Sequence, residues 1–110
     1  MTARLFCFGL GYTAQALARA LKADGWQVAG TTRSTERQAE LLAEGIETHL
    51  FARDRPLEEP AAALAGTTHL LTSIAPDEAG DLVLDHHRID LQRCGTIAWA
   101  GYLGTTGVYG

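Results

Sequence analysis

The sequence predicts an α/β fold in which a parallel sheet is covered by helices on both faces. Three observations carry this: five short, largely apolar runs, helical segments between them, and glycine or proline at most of the junctions. A strand that is apolar throughout, rather than alternating, is what burial on both faces requires.

The elements follow in chain order. Residues 4–8 form strand 1. Helix A over about 13–23 puts Ala14, Leu17, Ala18 and Leu21 on one stripe at i, i+3, i+4 and i+7. Asp24-Gly25 stops it, with Gly25 suited to the left-handed position past a helix end. Strand 2 is 27–32. Helix B opens at Ser34 or Thr35, where Thr35 and Gln38 have capping-box spacing, and ends at Gly45. Strand 3 is 46–51, and a short helix C led by Pro56 stops at Gly66. Strand 4 is 68–74, a fourth helix covers about 80–93, and strand 5 is 96–104. Right-handed crossovers then give the strand order 3-2-1-4-5.

A chain of 110 residues is one domain, 1–110, with a modest core. Apolar content of 46% and charged content of 20% exclude disordered and fibrous classes. A net charge of −4 without a basic stripe argues against nucleic acid as a partner. No apolar run is long enough for a membrane span, and Met1 to Arg4 runs straight into a strand, so no membrane partner and a cytoplasmic location are expected. Cys7 and Cys94 are expected as reduced thiols. His86 and His87 are sequential, so on a regular helix they point about 100° apart and do not converge. His49 and His69 fall in strands, and no metal site is expected.

The stretch "LFCFGLGYTAQALARAL" poses the functional question: why two glycines where a buried strand meets a helix? Open parallel sheets bind ligands beyond the carboxyl ends of their strands, where the strand order reverses, here between strands 1 and 4. Gly9 to Ala14 fits G-x-G-x-x-[GA] at that point. Gly9 allows the tight turn, Gly11 lets a pyrophosphate approach, and Ala14 lets helix A pack closely. The main chain of Gly9, Leu10, Gly11, Tyr12 and Thr13, with the positive end of helix A, would hold the phosphates. A glycine turn of purely steric origin is the alternative.

After strand 2 comes "GTTRSTER", with no acid until Glu36. Acidic side chains at this place hold the ribose hydroxyls of NAD. Thr32, Arg33 and Ser34, with Arg37, instead suit a 2′-phosphate, Arg33 through its planar fork. NADP(H) is therefore the expected cofactor and NAD(H) the alternative. The competing reading makes Arg33 and Arg37 solvated charges, which are unfavourable at a helix N-terminus unless an anion is near.

With "GLGYTAQALA", "GTTRS", Asp54, "SIAP" and "YLGTTGVYG", the chain resembles the short-chain dehydrogenase/reductase superfamily, in its extended epimerase/dehydratase branch and atypical members. The resemblance implies a Rossmann-like fold and NAD(P)-dependent chemistry on a carbonyl or alcohol substrate. It places Asp54 near the adenine and Ser73, Ile74 and Ala75 beside the nicotinamide-side ribose. It makes Thr105 the catalytic hydroxyl that hydrogen-bonds the substrate oxygen. It spans the whole chain but only the first third to half of a usual family member. The family's Tyr-x-x-x-Lys pair is absent, since Lys22 is the one lysine and residue 18 is alanine. Two expectations follow. The chain is part of a longer reductase-like enzyme or is completed by a partner, and strand 5 is an apolar edge open to self-association. A non-catalytic NAD(P)-binding regulatory or scaffold module is the alternative.

Overall fold

The computed structural model of the protein describes residues 3–74, 80–104 and 107–109. In chain order the elements are β1 (Arg4–Phe8), α1 (Tyr12–Ala23), β2 (Gln27–Thr32), α2 (Thr35–Ala43) and β3 (Glu47–Leu50). There follow α3 (Pro60–Leu64), β4 (His69–Thr72), α4 (Leu82–Arg93), β5 (Trp99–Gly104) and β6 (Gly107–Tyr109). One sheet has the order β3-β2-β1-β4-β5-β6. Its first five strands pair in parallel, in the expected 3-2-1-4-5 order.

β1 shows why its run is apolar at every position. Leu5 and Cys7 join one buried cluster with Leu10, Ala14, Ala18, Val28, Leu41, Ile46 and Leu71. Phe6 and Phe8 join a second with Phe51, Leu57, Leu64 and Val83. Side chains alternate across the pleat, so each half of the run feeds a different core. Phe8 packs against Phe6 and Phe51 at centroid separations of 5.0 and 5.2 Å. Each such ring, fully buried, contributes roughly 1.5–3 kcal/mol. Both cysteines are free thiols, and burial pushes Cys7 up to about 12.

Five details depart from the sequence reading. The short helix begins at Pro60, not Pro56: the Ala63 N–H bonds the Glu59 carbonyl at 2.9 Å, while Leu57 is buried with its N–H on His87 Nε2 at 2.9 Å. The cap of α2 is Ser34, whose hydroxyl accepts the Arg37 N–H at 3.2 Å. The Thr35–Gln38 capping box does not form, and the Gln38 amide donates to the Thr48 carbonyl instead. β5 starts at Trp99 because pairing to β4 begins at His69, while the Thr96 hydroxyl is spent on the Thr67 carbonyl. β5 is also not the edge strand: β6 folds back antiparallel on it through Leu103 and Val108.

The fifth departure concerns the histidine pair. Helix α4 is interrupted at His87, where φ is −130° and ψ 20°. His86 and His87 therefore do converge, with ring centroids 6.0 Å apart. No cluster fit to hold a metal ion exists among the described residues. No helix there is long and apolar enough to cross a membrane.

Candidate functional site

The site is built where β1 stops. Gly9 has a φ of +93°, in the left-handed region that side chains disfavour. A Cβ there would sit 2.8 Å from Ser73 Oγ and 2.9 Å from Ile74 Cγ1. Gly9 is thus fixed twice, by conformation and by space. Its N–H donates to Thr31 Oγ1 at 2.8 Å, and the Leu10 N–H donates to the Thr31 carbonyl at 2.8 Å. From the other side the Ser73 N–H donates to the Phe8 carbonyl at 2.8 Å and its hydroxyl to the Gly9 carbonyl. The turn is clamped between β2 and β4. Leu10 then lies over Gly30, where a Cβ would be 2.7 Å from both Leu10 and the Cys7 carbonyl.

Gly11 is different. Its φ of −79° and ψ of −170° suit any residue, and a Cβ there would meet nothing within 4 Å. Neither the backbone nor the packing of this protein asks for glycine at 11. Gly11 is the N-cap of α1, with no side-chain cap and no acid in the first turn. The other two long helices are capped, α2 by Ser34 and α4 by Asp81. The first-turn N–H groups of α1, which like those of any helix have no intrahelical acceptor, consequently have no side-chain acceptor either and sit at the positive end of the helix. Ala14 is 2% exposed against β1, the close approach expected of the third motif position.

A cavity of about 720 Å³ opens over this turn. It is lined by Gly9, Leu10 and Gly11, by Thr31 to Arg33 after β2, by Phe51 to Asp54 after β3, and by Ser73 and Ile74 after β4. All lie at the carboxyl ends of parallel strands, around the reversal between β1 and β4. The volume is in the range of small-molecule and cofactor sites. A recess lined by Ser34, Glu36 and Arg55 adjoins it and shares Arg33 and Asp54. Arg33 is exposed and has no hydrogen-bond or ion-pair partner among the described residues.

Of the expected site residues, Gly9, Leu10, Gly11, Thr32, Arg33, Asp54, Ser73 and Ile74 meet in the cavity, and Ser34 in the recess. Tyr12 is 95% exposed and does not line it. The Thr13 side chain lines an apolar groove with Leu17 and Trp99 instead. Only the main chain of these two residues is at the turn. Arg37 lies outside, its guanidinium 3.2 Å from Glu40. Ala75 and Thr105 lie outside the described residues. The sequence reading missed Thr31, Phe51, Arg53 and Arg55. It also missed Gly30, although a lone glycine inside a strand signals close backbone approach.

Arg53 lines the cavity, but its guanidinium is engaged elsewhere. Its guanidinium pairs with Asp85 and donates to the Gly80 carbonyl at 3.1 Å. Ala52 and Arg55 exchange N–H···O bonds of 2.8 and 3.0 Å, closing a tight turn with Arg53 and Asp54 at its tip.

No family model matches the chain, and no curated protein matches it significantly. Solved structures do. A conserved protein of unknown function from Silicibacter pomeroyi is 40% identical, with a TM-score of 0.78, over 96% of this chain and 36% of that one. A reductase engineered to attenuate substrate inhibition gives a TM-score of 0.71 at 19% identity, over 93% of this chain and 37% of the other. The TrkA-N domain of an inner membrane protein from Escherichia coli gives 0.65 at 21% identity, over 93% and 74%. The chain spans a little over a third of the length of the first two. Strand order and these likenesses agree on the architecture: the domain is a Rossmann-like α/β fold.

Proposed function

We propose that this chain binds a nicotinamide adenine dinucleotide, NADP(H) in preference to NAD(H). In this reading it is the cofactor-binding part of a short-chain dehydrogenase/reductase-like oxidoreductase or epimerase/dehydratase. The observation that carries the proposal is Gly11. The fold would accept a side chain there, yet the residue is glycine at an uncapped helix start that lines a cavity. A diphosphate lying against that backbone accounts for both the missing side chain and the missing cap. Likeness to a reductase adds weight to the oxidoreductase reading.

Within the proposal, the N–H groups that open α1 hold the diphosphate. Arg33 meets the 2′-phosphate with the Ser34 hydroxyl, whose oxygen already accepts the Arg37 N–H and whose proton can be donated outward. Asp54 borders the adenine side, and Ser73 and Ile74 the nicotinamide side. The Ser73 hydroxyl serves first as a clamp on the Gly9 carbonyl. Bound NADP(H) supplies hydride transfer to or from a small carbonyl or alcohol substrate. The Thr105 role implied by the family resemblance belongs to the proposal too. Self-association at this end of the sheet would use β6 rather than β5.

Calorimetric titration with NADPH and NADH tests the reading. Arg33→Ala is expected to lose roughly 1.5–3 kcal/mol of NADPH affinity, the scale of a charge-assisted hydrogen bond. NADH affinity should be nearly unchanged. Equal losses for both would remove the 2′-phosphate assignment, and a folded wild-type chain that takes up neither would remove the dinucleotide.

A further inference from the structure

The two adjacent histidines of α4 fasten both ends of one loop. His86 reaches the Arg53 carbonyl with Nε2 at 2.7 Å, and because a carbonyl only accepts, Nε2 carries the proton. His87 is 2% exposed and accepts the Leu57 N–H at Nε2, 2.9 Å away. Its Nδ1 therefore holds the proton and donates to Asp90 at 2.9 Å. Consecutive side chains of a regular helix diverge, so one loop would be out of reach of both. The interruption of α4 at His87 brings the two rings onto the same segment.

That segment begins as the cavity wall. Phe51, Ala52, Arg53 and Asp54 line the cavity, and the chain then runs to Leu57, which is buried. Both rings also pack on Phe51, at 5.9 Å for His86 and 5.4 Å for His87. Arg53 adds a third tie through Asp85, again on α4. At its start the Phe51 N–H donates to the Thr32 carbonyl of β2 at 3.1 Å; after that the wall has, among the described residues, only the short Ala52–Arg55 bridge. Beyond Phe51, α4 holds it at Arg53 and at Leu57.

We propose that His86 and His87 are positioning residues for the nucleotide end of the cavity, holding the segment from Arg53 to Leu57 so that Asp54 faces the bound ligand. The inference rests on the dinucleotide reading. It assigns the histidines to the adenine side alone, because the glycine turn is clamped separately by Thr31 and Ser73.

Two probes separate the halves of the site: 2′,5′-ADP for the nucleotide end and inorganic pyrophosphate for the glycine turn. His86→Leu should weaken 2′,5′-ADP binding roughly five- to tenfold, the worth of one hydrogen bond, and leave pyrophosphate binding unchanged. His86→Gln should restore affinity, since its amide N–H can donate to the Arg53 carbonyl as the imidazole did. A general loosening of the fold would weaken both probes together. Unchanged 2′,5′-ADP affinity in His86→Leu, or parallel losses for both probes, would overturn the positioning role while the dinucleotide reading stands. A wild-type chain that binds neither probe overturns both. Should His86→Leu not fold, hydrogen exchange in the wild type decides. The Leu57 amide should gain protection when 2′,5′-ADP binds, and an unchanged rate would contradict the inference.

Discussion

Gly11→Asp is expected to raise the melting temperature by a few degrees and to weaken NADPH binding at least about 100-fold. The two effects have opposite signs and one cause. Position 11 is the N-cap of α1, its backbone already extended, and nothing lies within 4 Å of a Cβ there. An aspartate at such a cap accepts a first-turn N–H and opposes the positive helix end, a gain of roughly 0.5–1 kcal/mol. For a domain of this size that is a few degrees. The same carboxylate occupies the N–H groups and the charge niche assigned to the diphosphate. Losing two charge-assisted hydrogen bonds costs about 3 kcal/mol or more, hence the 100-fold figure. A turn whose glycines served only the fold would show the small stability change and no binding change. Thermal unfolding and calorimetry on one preparation distinguish the cases.

Gly9→Ala should act the other way, through the fold. An alanine at φ +93° costs roughly 1–2 kcal/mol. Its Cβ would also press on Ser73 Oγ and Ile74 Cγ1 at 2.8 and 2.9 Å, closer than real contacts run. Relief of such overpacking typically costs a further ~1–3 kcal/mol. The sum is a large part of the stability of a small domain, so the melting temperature should fall by at least about 10 °C. Relief requires Ser73 to leave the Gly9 carbonyl, which opens the clamp that shapes the cavity floor. NADPH binding should then weaken as a consequence of the disturbed turn. A variant with wild-type stability would show that the turn can adopt another conformation.

Gly9 and Gly11 thus read alike in the sequence and do different work. The motif includes both, but only Gly9 is required by the fold itself, while position 11 would accept a side chain. The sheet itself was legible because its signal is local: a run such as Leu5 to Phe8 has no other place to go than a strand buried on both faces. Ends were less legible. Pro56 reads as a helix start in the sequence, but the helix opens a turn later, where the Ala63 N–H bonds the Glu59 carbonyl. Thr96 looked like strand until its hydroxyl was engaged by the Thr67 carbonyl. The convergence of His86 and His87 had no sequence signal, since it depends on one non-helical residue inside α4. Likewise Arg53 joined the cavity wall through partners at Gly80 and Asp85, which no spacing rule links to it.

The central claim is that a diphosphate lies against the bare backbone that opens α1. The most direct measurement is an amide ¹H–¹⁵N correlation spectrum of the wild-type chain titrated with NADPH. The largest displacements are expected at the Gly11, Tyr12 and Thr13 amides, with the amides of Gly9 and Leu10, already bonded to Thr31, moving less. Saturating NADPH that leaves those three signals in place, or moves only residues remote from the turn, would contradict the account.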